Sequence, residues 1–399
     1  ETGRDVVLPE ELDGVLLQYN ELQKQQGFDL EPWLGRLFYA ARRIADQTWP
    51  DRPPYDFWLD YNEEGLTGAK CTEFFSALRE GLLPLLERAQ HLPELDTDIL
   101  NCRVAPIYQQ RIAHFNMDAL GVDRGRCRLS LSDHAFTVAF SKYDVRICTR
   151  YIPESFTTSL YGVMHECGHA LYELNTGDQW QYTRLGAGAS TGVHESQSRF
   201  YENMIGRSRA WTELMWPVLT SNIPELAGRE PREFFRAVNA VRRTPLRDEA
   251  DELTYCLHIM LRFEIERAVM NGEMTVRDAP AVWNELTEKY LRCTVRSDAE
   301  GILQDPHWPA GQIGYFPTYA LGTVYAAQLM ERINESIDVG ESMRMGDISH
   351  VNDWMRENIW RHGALYPPTE LMERALGGPL DVKCYIDYLS DKLSEVYGV

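Results

Sequence analysis

The 399-residue sequence contains no apolar run approaching the roughly 18–20 residues that a membrane-crossing helix needs, so a spanning helix is excluded. Positive charge is also scarce: 40 Lys and Arg stand against 60 Asp and Glu, a formal net charge of -20. Non-specific binding to nucleic acid or to an anionic membrane needs a basic face, and this balance argues against both. Any anionic ligand must therefore meet cations placed for it. Cysteine pairs are missing. The eight cysteines lie singly at 71, 102, 127, 148, 167, 256, 293 and 384, which predicts reduced, mostly buried thiols instead of a disulfide framework or a thiolate zinc site. No internal repeat, low-complexity tract or linker interrupts the chain, and no signal-peptide pattern opens it. The single Asn-x-Ser sequon, at Asn334, is too common a pattern to imply secretion. A cytoplasmic protein is expected, and the opening Glu-Thr-Gly is set aside.

The composition is that of a globular protein, 44% hydrophobic and 25% charged, with ample length to bury a core. Most of it has helical period. "DGVLLQYNEL" and "LEPWLGRLFYAARRIADQ" near the start repeat apolar residues every three or four positions. "CTEFFSALREGLLPLLERAQ" does so through Phe75, Leu78, Leu82 and Leu86, with Pro84 expected to kink it. Leu253, Leu257, Leu261 and Ile265 form a third stripe, and Val382, Tyr385, Leu389, Leu393 and Val396 a fourth. These stripes read as core packing. One segment departs: "AFTVAFSKYDVRICTRYI" alternates with period two through Phe136, Val138 and Phe140, turns at Ser-Lys-Tyr, and resumes at Val145 and Ile147. The expected fold is mainly α, one large helical domain with an active-site groove and a small β hairpin or sheet. Residues 1–130 form its helical N-terminal part, 131–330 its catalytic core and 331–399 its C-terminal helices.

Directly after the hairpin comes "SLYGVMHECGHALYELNTG", in which His165 and His169 flank Glu166. On a helix, residues four apart share a face about 5–6 Å from one another, so both imidazoles can close on one cation. Glu166 is rotated by about 100° and stands beside the ion as a general base. Ser155 or Thr157 is expected to cap this helix, Leu160, Val163, Met164 and Leu171 to pack it, and Asn175-Thr176-Gly177 to end it. Gly168 allows a neighbouring element to approach closely. In a chain with ten histidines the motif alone is suggestive. A catalytic site needs a third protein ligand. After the glycine-rich "RLGAGASTG" follows "VHESQSRFYENMIG", and Glu195, 26 residues beyond His169, can return to the ion on a second helix. His194 is adjacent, but helical neighbours diverge by about 100°, so only one ligates. Glu195 is preferred as ligand, with His194 as a supporting or substrate-side group.

HECGH followed by "GVHESQSRFYEN" resembles the carboxypeptidase Taq family, thermostable-type metallocarboxypeptidases of bacteria and archaea. "DVRIC" (144–148) stands where the family has D-x-R-x-T, and "HAF" (134–136) where it has H-P-F. "LRDEAD" (246–251) resembles I-R-x-x-A-D, and "GILQDPHW" (301–308) fits G-x-x-Q-D-x-H-W in full. Ala135, Cys148 and Leu246 depart from the pattern without touching a metal ligand or the base. Members usually carry further N-terminal helices, and this chain reaches HECGH earlier. A more open groove or altered dimer contacts would follow.

The resemblance implies an enzyme that removes single residues from peptide C-termini, and homodimers. Zinc is the default ion for two imidazoles and a carboxylate, with cobalt or manganese also possible. His307, Tyr315 and Tyr319 are candidate donors to the developing oxyanion, or else buried aromatic packing. The terminal carboxylate needs a cation, and the planar fork of arginine suits it. Arg146 and Arg247 are the two candidates, each of which could instead pair with a nearby acid, Asp144 or Asp251. His134 is expected near the substrate groove, and Cys148 and Cys167 as inert packing. Rival readings are a related HExxH oligopeptidase or dipeptidyl carboxypeptidase, and a catalytically silent scaffold of the same fold. The intact Glu166 argues against the scaffold.

Overall fold

A computed structural model describes residues 31–399; the stripe in "DGVLLQYNEL" lies outside them. Along the chain run α1 (Glu31–Thr48), α2 (Pro54–Asn62), α3 (Gly68–Gln90) and α4 (Pro106–Ala119), then β1 (Cys127–Leu131), β2 (Phe136–Ser141) and β3 (Asp144–Thr149). There follow α5 (Phe156–Leu174), α6 (Thr191–Arg199), α7 (Arg209–Asn222), α8 (Pro231–Val238), α9 (Glu252–Met270) and α10 (Ala279–Leu291). The last five are α11 (Phe316–Asn334), α12 (Val339–Arg344), α13 (Ser349–Asn358), α14 (Pro368–Leu376) and α15 (Val382–Tyr397). The mainly helical expectation holds. The described residues divide into two compact units, one ending at Leu86 and resuming at Arg242–Ala320, the other formed by Glu87–Val241 and Leu321–Val399.

In the first unit the periodic apolar positions face inward. Helix α3 buries Cys71, Phe75, Leu78, Leu82 and Leu86 and runs through Pro84 without a break. Phe75 stacks on Phe263 of α9 with ring centroids 4.9 Å apart. Helix α9 is apolar on more than one face and is buried accordingly, carrying Glu266 and Arg262 into the interior. Buried polar groups must be partnered. Glu266 accepts from Tyr55 Oη at 2.6 Å, Trp308 Nε1 at 2.7 Å and the Gly314 amide at 3.0 Å. Burial pushes its carboxyl up from 4.5 to about 7 despite these donors.

The second unit holds the sheet, in the order β1-β3-β2. The hairpin of β2 and β3 is antiparallel, pairing Val138 with Arg146 and Thr137 with Ile147. Strand β1, parallel to β3, is an addition to the sequence reading: "CRLSL" is too short and too mixed to signal a strand by itself. Strand β2 alternates with period two, as its sequence does. Phe136, Val138 and Phe140 lie open to solvent, and the smaller Thr137 and Ala139 face inward. Val145 and Ile147 are buried. Helix α15 buries Tyr385, Leu389, Leu393 and Val396 of its predicted stripe between an Asp381 cap and a left-handed Gly398, while Val382, in its first turn, is only half-buried.

Candidate active site

Helix α5 packs its buried side, including Leu160, Val163, Met164 and Leu171, into the second unit. Ser155 occupies the N-cap position, but its hydroxyl meets Thr158 Oγ1 at 2.8 Å instead of capping an amide. At the other end the Asn175 amide donates to the Leu171 carbonyl at 2.7 Å. Helix α6 has a true cap, the Ser190 hydroxyl accepting from the Val193 amide at 3.1 Å. The two helices approach very closely. A Cβ on Gly168 would lie 2.5 Å from the Gln197 carbonyl oxygen, and one on Gly322 of α11 would lie 2.7 Å from Glu195 Cβ. Side chains at these two positions would drive α6 away and displace Glu195.

This packing brings His165, His169 and Glu195 together, with one ligand atom from each within 4.8 Å of the others. His165 Nε2 lies 3.7 Å and His169 Nε2 3.5 Å from Glu195 Oε2. The opposite nitrogens face away: His165 Nδ1 meets Glu202 Oε2 at 2.9 Å, and His169 Nδ1 meets His194 Nδ1 at 3.0 Å. Two imidazole lone pairs from half-buried histidines and an oxygen of a buried carboxylate converge, a donor set that fits a divalent cation. Glu195 Oε1 accepts from Arg199 Nε at 2.8 Å, which leaves Oε2 for the imidazole side. Burial alone would raise the Glu195 carboxyl, but His165, Arg199 and His169 outweigh it and hold the group well below the usual carboxylate range. For Glu202, burial is likewise overcome, here by Arg199 and the bond to His165, and the carboxyl falls to about 2.

Glu166, buried on the same helix, has its Oε2 held by the Thr137 hydroxyl at 2.6 Å. Thr137, on the half-buried side of β2, also meets the Glu166 backbone carbonyl at 3.2 Å. Sequence reasoning missed Thr137, Glu202 and Glu173. The signal available for Thr137 was a polar position inside an otherwise apolar strand, and for Glu173 its place eight residues beyond His165, on the same stripe as His169. Glu202 lies in a wide helical turn, Phe200–Gly206, that continues α6. Such turns cluster at functional sites.

Arg146 is half exposed, bonded to Asp144 at 2.8 and 2.9 Å and lying over Phe140, on the sheet face opposite Thr137. His134 is exposed between β1 and β2. His194 is bonded to His169 and, through Nε2, to Glu173 Oε1 at 2.7 Å. Cys167 is fully buried and its thiol is pushed well above its ordinary value, chiefly by burial; burial and then Glu166 also raise Cys148. All eight cysteines are free.

A second cluster belongs to the first unit. His307 Nε2 meets Tyr319 Oη at 3.0 Å, and Tyr315 packs against Tyr319 with ring centroids 5.2 Å apart. Arg247 lies over the Tyr319 ring and bonds Asp305 Oδ1 at 2.7 Å, with Asp248 also paired to it. Asp251 does not pair with it; its carboxylate caps α9 and accepts from the Arg242 amide. The fully buried Arg262 takes Asp305 Oδ2 at 2.6 Å.

Comparison with known proteins agrees with the geometry. A family model described as carboxypeptidase Taq (M32) metallopeptidase matches residues 18–393. The chain is 38% identical to thermostable carboxypeptidase 1 of Pyrococcus furiosus, covering 91% of this chain and 73% of that protein. It is 37% identical to carboxypeptidase 1 of Bacillus subtilis, over 95% of this chain and 76% of the relative. Among solved structures, an M32 carboxypeptidase from Deinococcus radiodurans superposes with a TM-score of 0.94 at 35% identity, covering 98% of this chain and 80% of that one.

Proposed function

The chain belongs to the carboxypeptidase Taq (M32) metallopeptidases and is a metallocarboxypeptidase, and on that premise we propose how its residues divide the work. His165, His169 and Glu195 hold one divalent ion, with zinc as the proposed occupant and cobalt or manganese as alternatives. The observation that carries this is the aim of the two Nε2 atoms toward one carboxylate oxygen of Glu195. A divalent ion bound by this set supplies Lewis acidity, polarising a peptide carbonyl and acidifying water.

Glu166 takes the water proton and delivers it to the departing amine. Thr137 holds Oε2, which leaves Oε1 to carry that proton. His307, Tyr315 and Tyr319 are the proposed donors to the developing oxyanion, with the His307–Tyr319 bond fixing the orientation of the phenol. For the terminal carboxylate of the substrate, Arg247 is favoured. It and Arg262 share the buried carboxylate of Asp305, and its other acidic partner, Asp248, lies exposed, where a substrate carboxylate can displace it. Arg146 is the second choice, since its fork already grips Asp144 in full. His134, exposed on the loop that leads into β2, is proposed as a peripheral substrate contact.

Peptides are the substrates. No helix among the described residues is long and apolar enough to cross a membrane. A reducing, cytoplasmic setting is proposed on the eight free thiols, and a homodimer on family membership. The reaction is tested by mass spectrometry of an N-terminally blocked peptide incubated with the zinc-loaded enzyme. Stepwise loss of single C-terminal residues is expected; released dipeptides or internal cuts would assign the dipeptidyl carboxypeptidase or oligopeptidase reaction instead.

A further inference from the structure

We propose that Glu173, His194 and His169 form a hydrogen-bonded relay that fixes the tautomer and aim of the second metal-ligating imidazole, which makes His194 a positioning residue. The inference rests on the ligand set proposed above and adds a role for a residue outside it.

Both ring nitrogens of His194 are engaged within the protein. Nδ1 lies 3.0 Å from His169 Nδ1, and Nε2 lies 2.7 Å from Glu173 Oε1. His165, His169 and Glu173 follow one another at four-residue spacing, so a single stripe of α5 presents two ligand candidates and then a carboxylate. His194 on α6 spans from the second to the third. Its neighbour Glu195, rotated by about 100° along the helix, turns toward the imidazole Nε2 atoms.

The protons can run in only one order if His169 is to offer its Nε2 lone pair. His169 then carries its proton on Nδ1 and donates it to the bare Nδ1 of His194. His194 in turn carries its proton on Nε2 and donates to Glu173 Oε1. The opposite order puts a proton on His169 Nε2, the atom facing Glu195 Oε2 at 3.5 Å, and blocks that lone pair. A carboxylate at the far end favours the productive order, because it accepts and never donates when ionised.

The seat of His194 is closely fitted. Its ring packs against Tyr172 with centroids 4.9 Å apart, and a Cβ on Gly188 would come within 2.3 Å of His194 Cδ2. The Ala189 amide donates to Tyr172 Oη at 3.1 Å, tying the glycine-rich loop to the same aromatic. The loop thus serves to close over an imidazole. The two ligand histidines are consequently backed in different ways: His165 directly by the carboxylate of Glu202, His169 by a carboxylate one imidazole removed. Partners of this kind typically set metal affinity by about 10–100-fold.

The test titrates metal-free protein with zinc against a chromophoric chelator, for the unsubstituted chain, His194→Ala, His194→Asn and Glu195→Ala. The relay predicts stoichiometric tight binding by the unsubstituted chain and a loss of about 10–100-fold for His194→Ala. His194→Asn, whose amide oxygen can accept from His169 Nδ1, recovers part of that loss. Imidazole ¹⁵N shifts of the metal-free protein should place the His169 proton on Nδ1, and His194→Ala should remove that preference. Unchanged zinc affinity in His194→Ala overturns the relay alone. A loss in His194→Ala as complete as that in Glu195→Ala overturns it by making His194 a ligand. Failure of the unsubstituted chain to bind zinc overturns the ligand set, and the relay falls with it.

Discussion

Glu195 and Asp305 are both buried carboxylates with arginine partners, and in both cases burial pushes the carboxyl up while neighbouring cations hold it down. They differ in what their oxygens face. Asp305 gives one oxygen to Arg247 and the other to Arg262, so each oxygen ends on a guanidinium. Glu195 gives one oxygen to Arg199 and turns the other toward two imidazole nitrogens. The first arrangement is neutralised by the protein's own cations. The second gathers electron-pair donors and gains from a cation. Buried charge alone therefore does not mark a metal site; an oxygen aimed at other lone pairs does.

The largest effect that would break this comparison concerns Glu166, which belongs with the donor cluster. Glu166→Gln should lower kcat by about 10²–10⁴-fold while zinc content, measured by elemental analysis, stays at the level of the unsubstituted enzyme. Unchanged hydrolysis would remove the general base from the account. Next in size is Asp305→Asn, which leaves the fully buried Arg262 without its ionised partner. Denaturant unfolding at pH 7 should register a cost of about 3–5 kcal/mol, with zinc affinity unaffected. The sign with pH follows from the depressed Asp305 carboxyl: its contribution is present above the ordinary carboxylate range and is lost as the pH falls through and below it. The gap between the two proteins should accordingly narrow in acid. The smallest effect is expected at Thr137→Val, which frees Glu166 Oε2. A fall in kcat of about tenfold, with KM and zinc affinity unchanged, would place Thr137 as a positioning residue for the base, since one hydrogen bond to a charged group contributes about 1.5–3 kcal/mol at most.

The same contrast explains what could be read in advance. His165, Glu166, His169 and Glu195 come from two neighbouring helices, and helical spacing alone puts the histidines on one face and the base beside them. Glu202 and Glu173 sit on those helices too, but exposed and buried glutamates look alike in a sequence. Only packing shows that Glu202 ends on His165 and Glu173 on His194. Thr137 was hidden because β2 inverts the ordinary rule: its phenylalanines and valine face solvent and its small residues face the helix. Strand β1 pairs with β3, beyond the intervening β2, and no local pattern records that pairing. Arg247 was singled out from its motif, yet its partners proved to be the adjacent Asp248 and Asp305, 58 positions away, instead of Asp251.

A crystal grown with zinc tests most directly whether His165, His169 and Glu195 jointly grip one ion. An anomalous-scattering map is predicted to show a single peak at about 2.0–2.2 Å from His165 Nε2, His169 Nε2 and a Glu195 carboxylate oxygen. A map with no peak between the imidazoles, and with Glu195 bonded to Arg199 alone, would contradict that grip.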